Sequence, residues 1–315
     1  MSIALNERLQ ESGAFSQDAL WGLSRHQKSI PSRWLYDDRG SELFEKITQI
    51  DEYYPTRTEI SILARHAEEI AVFCGKNAVL IEYGAGAATK TEILIEALEA
   101  PQFYAPIDIA GDFLHRSLTR LGKRYSQLRS RGIIADFTAL PSLPAWVPAG
   151  RRVAFFPGST LGNLDATQAL QFLRCMRRHV GANGCAIIGV DMKKPLSLLI
   201  PAYDDAAGVT AEFNLNLLRR MNRELDADFA LDAFAHSARW NVRESAIEMH
   251  LVSRHRHSVV VAGQRFAFDS HETIHTESSR KYDREDFGKL VHATGWSLAR
   301  QWSDSGGLFS IFGLE

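Results

Sequence analysis

Two glycines and three acids, each placed where a strand should end, carry the first chemical information in this chain. The apolar run 78–81 leads into Glu82, Tyr83, Gly84, Ala85 and Gly86, and a helix-type stretch begins at Thr89. Two glycines at a strand-to-helix turn let the backbone approach a ligand closely, with helix amides behind them. A dinucleotide-binding loop would place a third glycine where Thr89 stands. An acid two positions before the first glycine instead favours S-adenosylmethionine (SAM), whose ammonium group needs an anionic neighbour. Asp108 ends the next apolar run, where a carboxylate accepts hydrogen bonds from both ribose hydroxyls. Asp136 ends the third, offering an acceptor for an adenine amino group, and Phe137 offers a ring for its face. Glu82, Gly84, Gly86, Asp108, Asp136 and Phe137 together predict a SAM site.

A fourth apolar run, 152–156, ends in the turn 157–164, which contains Gly158, Ser159, Thr160, Gly162 and Asn163. In methyltransferases the loop after this strand faces the methyl group, and Asn163 is suited to hydrogen-bond a substrate there. The Asn/Asp-Pro-Pro-aromatic motif of DNA amino-methylating enzymes is absent.

Positioning these residues requires a doubly wound sheet. Helical spacing over 59–73, strands at 78–81, 102–109, 132–135, 152–156 and 184–190, and helices at 89–98, 113–121 and 167–179 alternate along the chain. Near-continuous apolar strands between helices predict an α/β fold with a parallel, Rossmann-like sheet. A helix over 284–294 and a final hairpin, 296–302 with 308–312, complete it in the manner of a methyltransferase. Between them the pattern changes: 203–240 is expected to be largely helical and 246–268 to form two antiparallel strands. These segments predict a second, inserted α+β substrate-binding domain. The expected domains are 60–195 with 284–315 for SAM, and 1–59 with 196–283 for the substrate.

Length and composition agree. The chain has 315 residues, 45% hydrophobic and 23% charged, with 36 basic against 38 acidic side chains. Such a composition excludes a disordered chain. A net charge of −2 gives no footprint for nucleic acid or an acidic membrane. No apolar run approaches a membrane span, and the first residues lack a secretory signal, so a cytoplasmic protein is expected. Cys74, Cys175 and Cys185 fit reduced core thiols. His250, His255 and His257 alternate with Arg254 and Arg256, which predicts a solvated strand face and no metal site.

From about Ile30 to the C-terminus, the chain resembles the bacterial L-histidine Nα-methyltransferases of ergothioneine biosynthesis, which form the trimethylated betaine hercynine. The resemblance rests on residues 34–44, 52–59, 158–164, 202–210 and 222–225, none of which is a generic SAM motif. It implies an amino-acid site lined by Tyr36, Phe44 and Tyr53, with Asn163 and Tyr203 holding the substrate carboxylate beside Gly158 and Thr160. It further implies imidazole recognition by Glu277 and Ser279, a pocket methionine at Met249, and Lys90 among the cofactor residues. Tyr36, Asn163 and Tyr203 would then carry catalysis, Tyr36 and Tyr53 ordering a water that accepts the proton. S-adenosylhomocysteine (SAH) would be the second product, and a monomer is expected. Ala110 departs from the family, standing where a polar residue usually follows the ribose acid. Two rivals are an enzyme forming the betaine of tryptophan or tyrosine, and a non-catalytic SAM sensor.

Overall fold

The computed structural model describes residues 2–86 and 88–315, with side chains from residue 13 onward. They divide into two compact units, Met1–Tyr53 with Pro195–Ser278, and Tyr54–Lys194 with Ser279–Glu315.

In the first unit the chain opens with α1 (Ser2–Leu23), β1 (Lys28–Ser29), a 3₁₀ turn (Ser32–Leu35) and α2 (Asp38–Ile47). The second unit begins with α3 (Tyr54–Arg65) and α4 (Ala67–Cys74). It then alternates β2 (Val79–Tyr83), α5 (Thr89–Ala97), β3 (Phe103–Asp108), α6 (Gly111–Arg124), β4 (Ile133–Ile134), β5 (Arg152–Phe156), α7 (Ala166–Val180) and β6 (Cys185–Asp191). Back in the first unit come α8 (Leu196–Leu199), α9 (Val209–Glu224), β7 (Phe234–Asn241), β8 (Ala246–Ser253), β9 (His257–Val261), β10 (Gln264–Phe268) and β11 (Thr273–Arg280). The boundary falls after Ser278, within β11. The second unit closes with α10 (Arg284–His292), β12 (Leu298–Ser303) and β13 (Phe309–Leu314).

Its sheet has the order β12-β13-β6-β5-β2-β3-β4 among the described residues. The strands run parallel except β13, which is antiparallel to both β6 and β12. β2 is central and buried on both faces. Val79, Ile81 and Tyr83 pack with Phe156 and Phe172 on one side, while Leu80 packs with Ile62, Ile70 and Leu94 on the other. This two-sided burial is why its sequence is apolar at every position but Glu82. The chain winds outward from β2 to β3 and β4, then returns to β5 on the opposite side. That reversal is a topological switch point, and ligands of open α/β sheets bind beyond the strand C-termini there. The loops after β2, β3, β4 and β5 all end at that edge.

The first unit carries a sheet ordered β1-β11-β8-β7 and the separate hairpin β9-β10. Here several expectations need correction. The helix expected over 203–240 ends at Glu224, and Phe234–Asn241 is a strand pairing antiparallel with β8. Residues 246–268 form three strands, because Ala262 and Gly263 take positive φ angles (47° and 79°). That places the tight turn of a β-hairpin between β9 and β10. His250 is buried on β8 rather than solvated, its ring bonded to Glu248 (3.1 Å).

Two further corrections fall in the second unit. The helix expected over 59–73 is two helices turned at His66, whose ring meets Glu69 at 3.0 Å. The expected domain limits also move, since 54–59 and 279–283 belong to the second unit and Pro195 to the first. The Tyr54 hydroxyl donates to both oxygens of Asp191 (2.8 and 2.9 Å), and the Lys281 ammonium pairs with the same carboxylate (2.7 Å). Both segments are thereby fixed to the end of β6.

Candidate functional site

The second unit presents four loops. After β2, Gly84 and Gly86 take positive φ angles (71° and 47°), a backbone that glycine adopts without strain. A side chain at Gly84 would meet the Phe137 ring, and nothing lies within 4 Å of a Cβ placed on Gly86. Asp108, at the end of β3, accepts from Gly86 N–H (3.2 Å) and from Ala110 N–H (2.9 Å). It therefore ties the start of α6 to the first loop. Burial holds the Asp108 carboxyl above the usual carboxylate range. Asp136 caps its own turn by accepting from Thr138 N–H (2.8 Å). Phe137 stands 5.4 Å from Phe156 and 5.1 Å from Phe172, ring centre to ring centre. Open glycine backbone, a half-buried acid on the neighbouring strand and an anchored ring fit a nucleoside with a charged tail.

Glu82 differs from its expected role. It is 1% exposed, and its carboxyl accepts from Thr91 (2.7 Å) and from the Tyr104 hydroxyl. Burial pushes it up to about 8, so at neutral pH it is mostly uncharged and is a poor anchor for an ammonium group. These bonds join α5 and β3 behind the loop. A carboxyl whose folded value exceeds its ordinary one stabilises the fold below pH 4.5 and loses that contribution as pH rises through about 8. The melting temperature of E82Q should accordingly fall less between about pH 5 and 8 than that of the wild type. Parallel melting curves across that range would show that Glu82 does not titrate there.

The loop after β5 is held from several sides. Gly158 takes φ +83° and Ser159 φ +58°. Gly158 N–H donates to Glu59, the Ser159 hydroxyl accepts from Asp191 N–H (2.9 Å), and Thr160 donates to Pro157 O (3.1 Å). A Cβ on Gly162 would lie 2.7 Å from the Arg280 carbonyl, so only glycine permits this close approach. Asn163 ends the resulting 3₁₀ turn, Thr160–Asn163. Behind it is a buried cluster that sequence reasoning missed. Asp191 carries Lys194, Lys281 and Tyr54, and Lys281 also donates to Ser279 (2.8 Å). Burial pulls the Lys194 ammonium down to about 8.

The first unit brings together an aromatic cluster. Tyr36 follows the 3₁₀ turn, Phe44 lies on α2, Tyr53 precedes α3, and Tyr203 follows α8. Ring centres are 5.6 Å apart for Tyr36 and Phe44, 6.1 Å for Phe44 and Tyr53, and 6.1 Å for Tyr53 and Tyr203. Phe213 of α9 completes it, 5.4 Å from Tyr36. The sequence reading passed over Phe213, although its helical spacing with Thr210 and Leu217 marked it as inward-facing. The Tyr36 hydroxyl donates to Glu277 (3.3 Å), and burial together with that carboxylate pushes Tyr36 well above its ordinary value. Tyr36 is thus a neutral phenol, a donor and not a base.

Glu277 is 7% exposed on β11, in place of the solvated loop that its polar neighbours suggest. Thr276 beside it donates to the Met249 carbonyl (3.0 Å), which sets this stretch of β11 against buried Met249 on β8. Ser279 follows two residues on, on the same face of the strand. Tyr203 has its own support. The Asn214 amide donates to His250 O (3.2 Å) and to His236 Nδ1 (2.9 Å), so His236 carries its proton on Nε2 and donates it to Tyr203 O (2.8 Å). Of the expected residues, the first unit gathers Tyr36, Phe44, Tyr53, Tyr203, Met249 and Glu277. Gly158, Thr160, Asn163 and Ser279 belong to the second.

Among the described residues no helix is long and apolar enough to cross a membrane. Comparison with known proteins is consistent with the two clusters. A family described as "Histidine-specific methyltransferase, SAM-dependent" matches residues 15–315. The chain is 38% identical to the histidine N-alpha-methyltransferase of Mycobacterium tuberculosis, over 95% of this chain and 94% of that one. The Mycolicibacterium smegmatis enzyme of the same name is 37% identical over the same shares. Ergothioneine biosynthesis protein 1 of Neurospora crassa is 30% identical over 88% of this chain, which spans 32% of that longer protein. Among solved structures, a SAM-dependent methyltransferase from Clostridium acetobutylicum superposes with a TM-score of 0.50 at 12% identity, covering 87% of this chain and 98% of that one. That likeness concerns the fold.

Proposed function

The chain belongs to the SAM-dependent, histidine-specific methyltransferase family, and from that membership we propose that it trimethylates the α-amino group of L-histidine to hercynine, the first step of ergothioneine biosynthesis. The observation that carries the substrate assignment is Glu277, a buried acid on an ordered strand, bonded to Tyr36 and set beside an aromatic cluster. An imidazole N–H can donate to it. Phenylalanine offers no N–H to this acceptor and forgoes that bond, at a cost of about 1–3 kcal/mol.

SAM, when bound, supplies an electrophilic methyl group on sulfur. Gly84, Gly86 and Lys90 would hold its amino-acid end, Asp108 its ribose, and Asp136 with Phe137 its adenine. Methyl transfer is an in-line displacement, so positioning the amine supplies much of the acceleration. Asn163 and Tyr203, both neutral, are assigned the substrate carboxylate, fixing the nitrogen without adding a competing nucleophile. The α-ammonium must lose a proton before each transfer. Tyr36, held as a phenol, and Tyr53 orient a water that takes it. Rings of Tyr36, Phe44, Tyr53 and Phe213 offer π-faces to the growing fixed cation. Ser279 is assigned the second imidazole contact and Met249 the floor of the ring pocket.

We infer a cytoplasmic, monomeric protein acting on a small zwitterion. Three free, buried cysteines and a near-neutral charge support that reading. Calorimetric titration in the presence of SAH tests the substrate class. Histidine should bind, and tryptophan, tyrosine and phenylalanine should bind at least about tenfold more weakly. Preference for an indole would favour the other-betaine reading, and binding of SAH with no amino acid would favour a sensor.

A further inference from the structure

We propose that Glu59 is a positioning residue serving both substrates, one carboxylate that sets the cofactor lysine and the substrate turn together. This rests on the reading of the β2 loop as the cofactor site. Glu59 lies on α3, 1% exposed, where an acid without partners would be costly. Its Oε2 is 2.6 Å from the Lys90 ammonium, and both oxygens accept Gly158 N–H, at 2.9 and 3.0 Å.

The surroundings are shaped for this carboxylate. Gly189 on β6 lacks a side chain where a Cβ would stand 2.0 Å from Glu59 Oε1. Gly158 holds a positive φ of 83°, and a Cβ there would be 3.4 Å from Lys90 Nζ. Lys90 sits in the first turn of α5, four residues past Gly86, whereas Gly158 opens the turn that ends at Asn163. Glu59 therefore joins the first and fourth loops through one buried group. It fixes where the Lys90 charge stands, and it secures a turn whose left-handed residues would otherwise relax.

The two contacts respond differently to substitution, which separates positioning from mere stability. Glutamine keeps an acceptor for Gly158 N–H but loses the ion pair with Lys90. Alanine loses both. In E59Q the KM for SAM should rise about tenfold with the histidine KM changed less than about twofold, whereas E59A should raise both about tenfold. K90M should match E59Q in its effect on SAM, and the double variant E59Q/K90M should be no worse than either alone. The SAH dissociation constants of the same folded variants should follow the SAM values.

Wild-type turnover of histidine is measured first, and its absence overturns the functional reading rather than this one. With the wild type active, a lower melting temperature or active fraction with both KM values unchanged in E59Q would make Glu59 merely structural. Multiplying effects of E59Q and K90M on SAM would equally overturn the proposal. Should E59A fail to fold, the isosteric E59Q and its cycle with K90M still decide.

Discussion

Replacing Glu277 with alanine is expected to raise the KM for histidine roughly ten- to a hundredfold while leaving the SAH dissociation constant within about twofold. The size follows from the kind of bond removed. A hydrogen bond to a charged group contributes about 1.5–3 kcal/mol, twice or more a neutral one, and its loss leaves the imidazole N–H without that partner. Glu277 is buried on β11 and shares a hydrogen bond with Tyr36 at 3.3 Å. Alanine would therefore also release the Tyr36 hydroxyl, and kcat should fall alongside the rise in KM. Glutamine keeps an acceptor of the same shape and should lose less than alanine. Steady-state kinetics with each substrate varied in turn, beside calorimetry with SAH, checks this. Equal losses for histidine and SAH would contradict the assigned role.

Asp108→Ala should weaken SAH binding about a hundredfold or more and reduce activity mainly through the KM for SAM. Asp108 is asked to accept from the ribose hydroxyls, and it also holds Gly86 N–H (3.2 Å) and Ala110 N–H (2.9 Å). Removing it takes away a ligand contact and loosens the loop that forms the rest of the site. Asparagine retains one acceptor and should show a smaller loss. Because burial holds Asp108 above the usual carboxylate range, affinity should begin to weaken on acidification earlier than an exposed acid would allow. Calorimetric titration of SAH into the two variants is the measurement. Unchanged affinity in D108A would remove Asp108 from the cofactor site.

The loops of the candidate cofactor site were legible in the sequence because their signals are local. Glycines at a strand-to-helix turn, and acids near the ends of apolar runs, announce themselves without reference to distant parts of the chain. The core of β2 was legible for a similar reason, since burial on both faces leaves an apolar run over 78–81, broken at Glu82. The substrate half was legible mainly through resemblance. β11 is buried through Thr276, Glu277 and Ser279, polar residues that erase the alternation by which a strand is recognised. β7 was mistaken for helix because most of its residues are only half-buried and show no two-residue hydrophobic period.

Charged groups in the interior were the least legible of all. Lys281 and Asp191 are both fully buried, each partnering the other, and nothing near either in sequence points to its mate. The adjacent pair Tyr53 and Tyr54 shows the same limit at the scale of one residue. Tyr53 joins the aromatic cluster of the first unit and Tyr54 the Asp191 cluster of the second, so identical neighbours have unrelated partners. Glu82 lies on β2, and its charge state is set by burial against the opposing bonds from Tyr104 and Thr91, none of which its sequence neighbours announce.

Incubation of the purified protein with L-histidine and SAM, followed by mass spectrometry of the small molecules, tests the central claim most directly. The account predicts mono-, di- and trimethylated histidine, with the trimethylated α-amino product accumulating as SAH is formed. A folded protein that binds SAH yet leaves histidine unmethylated would contradict it.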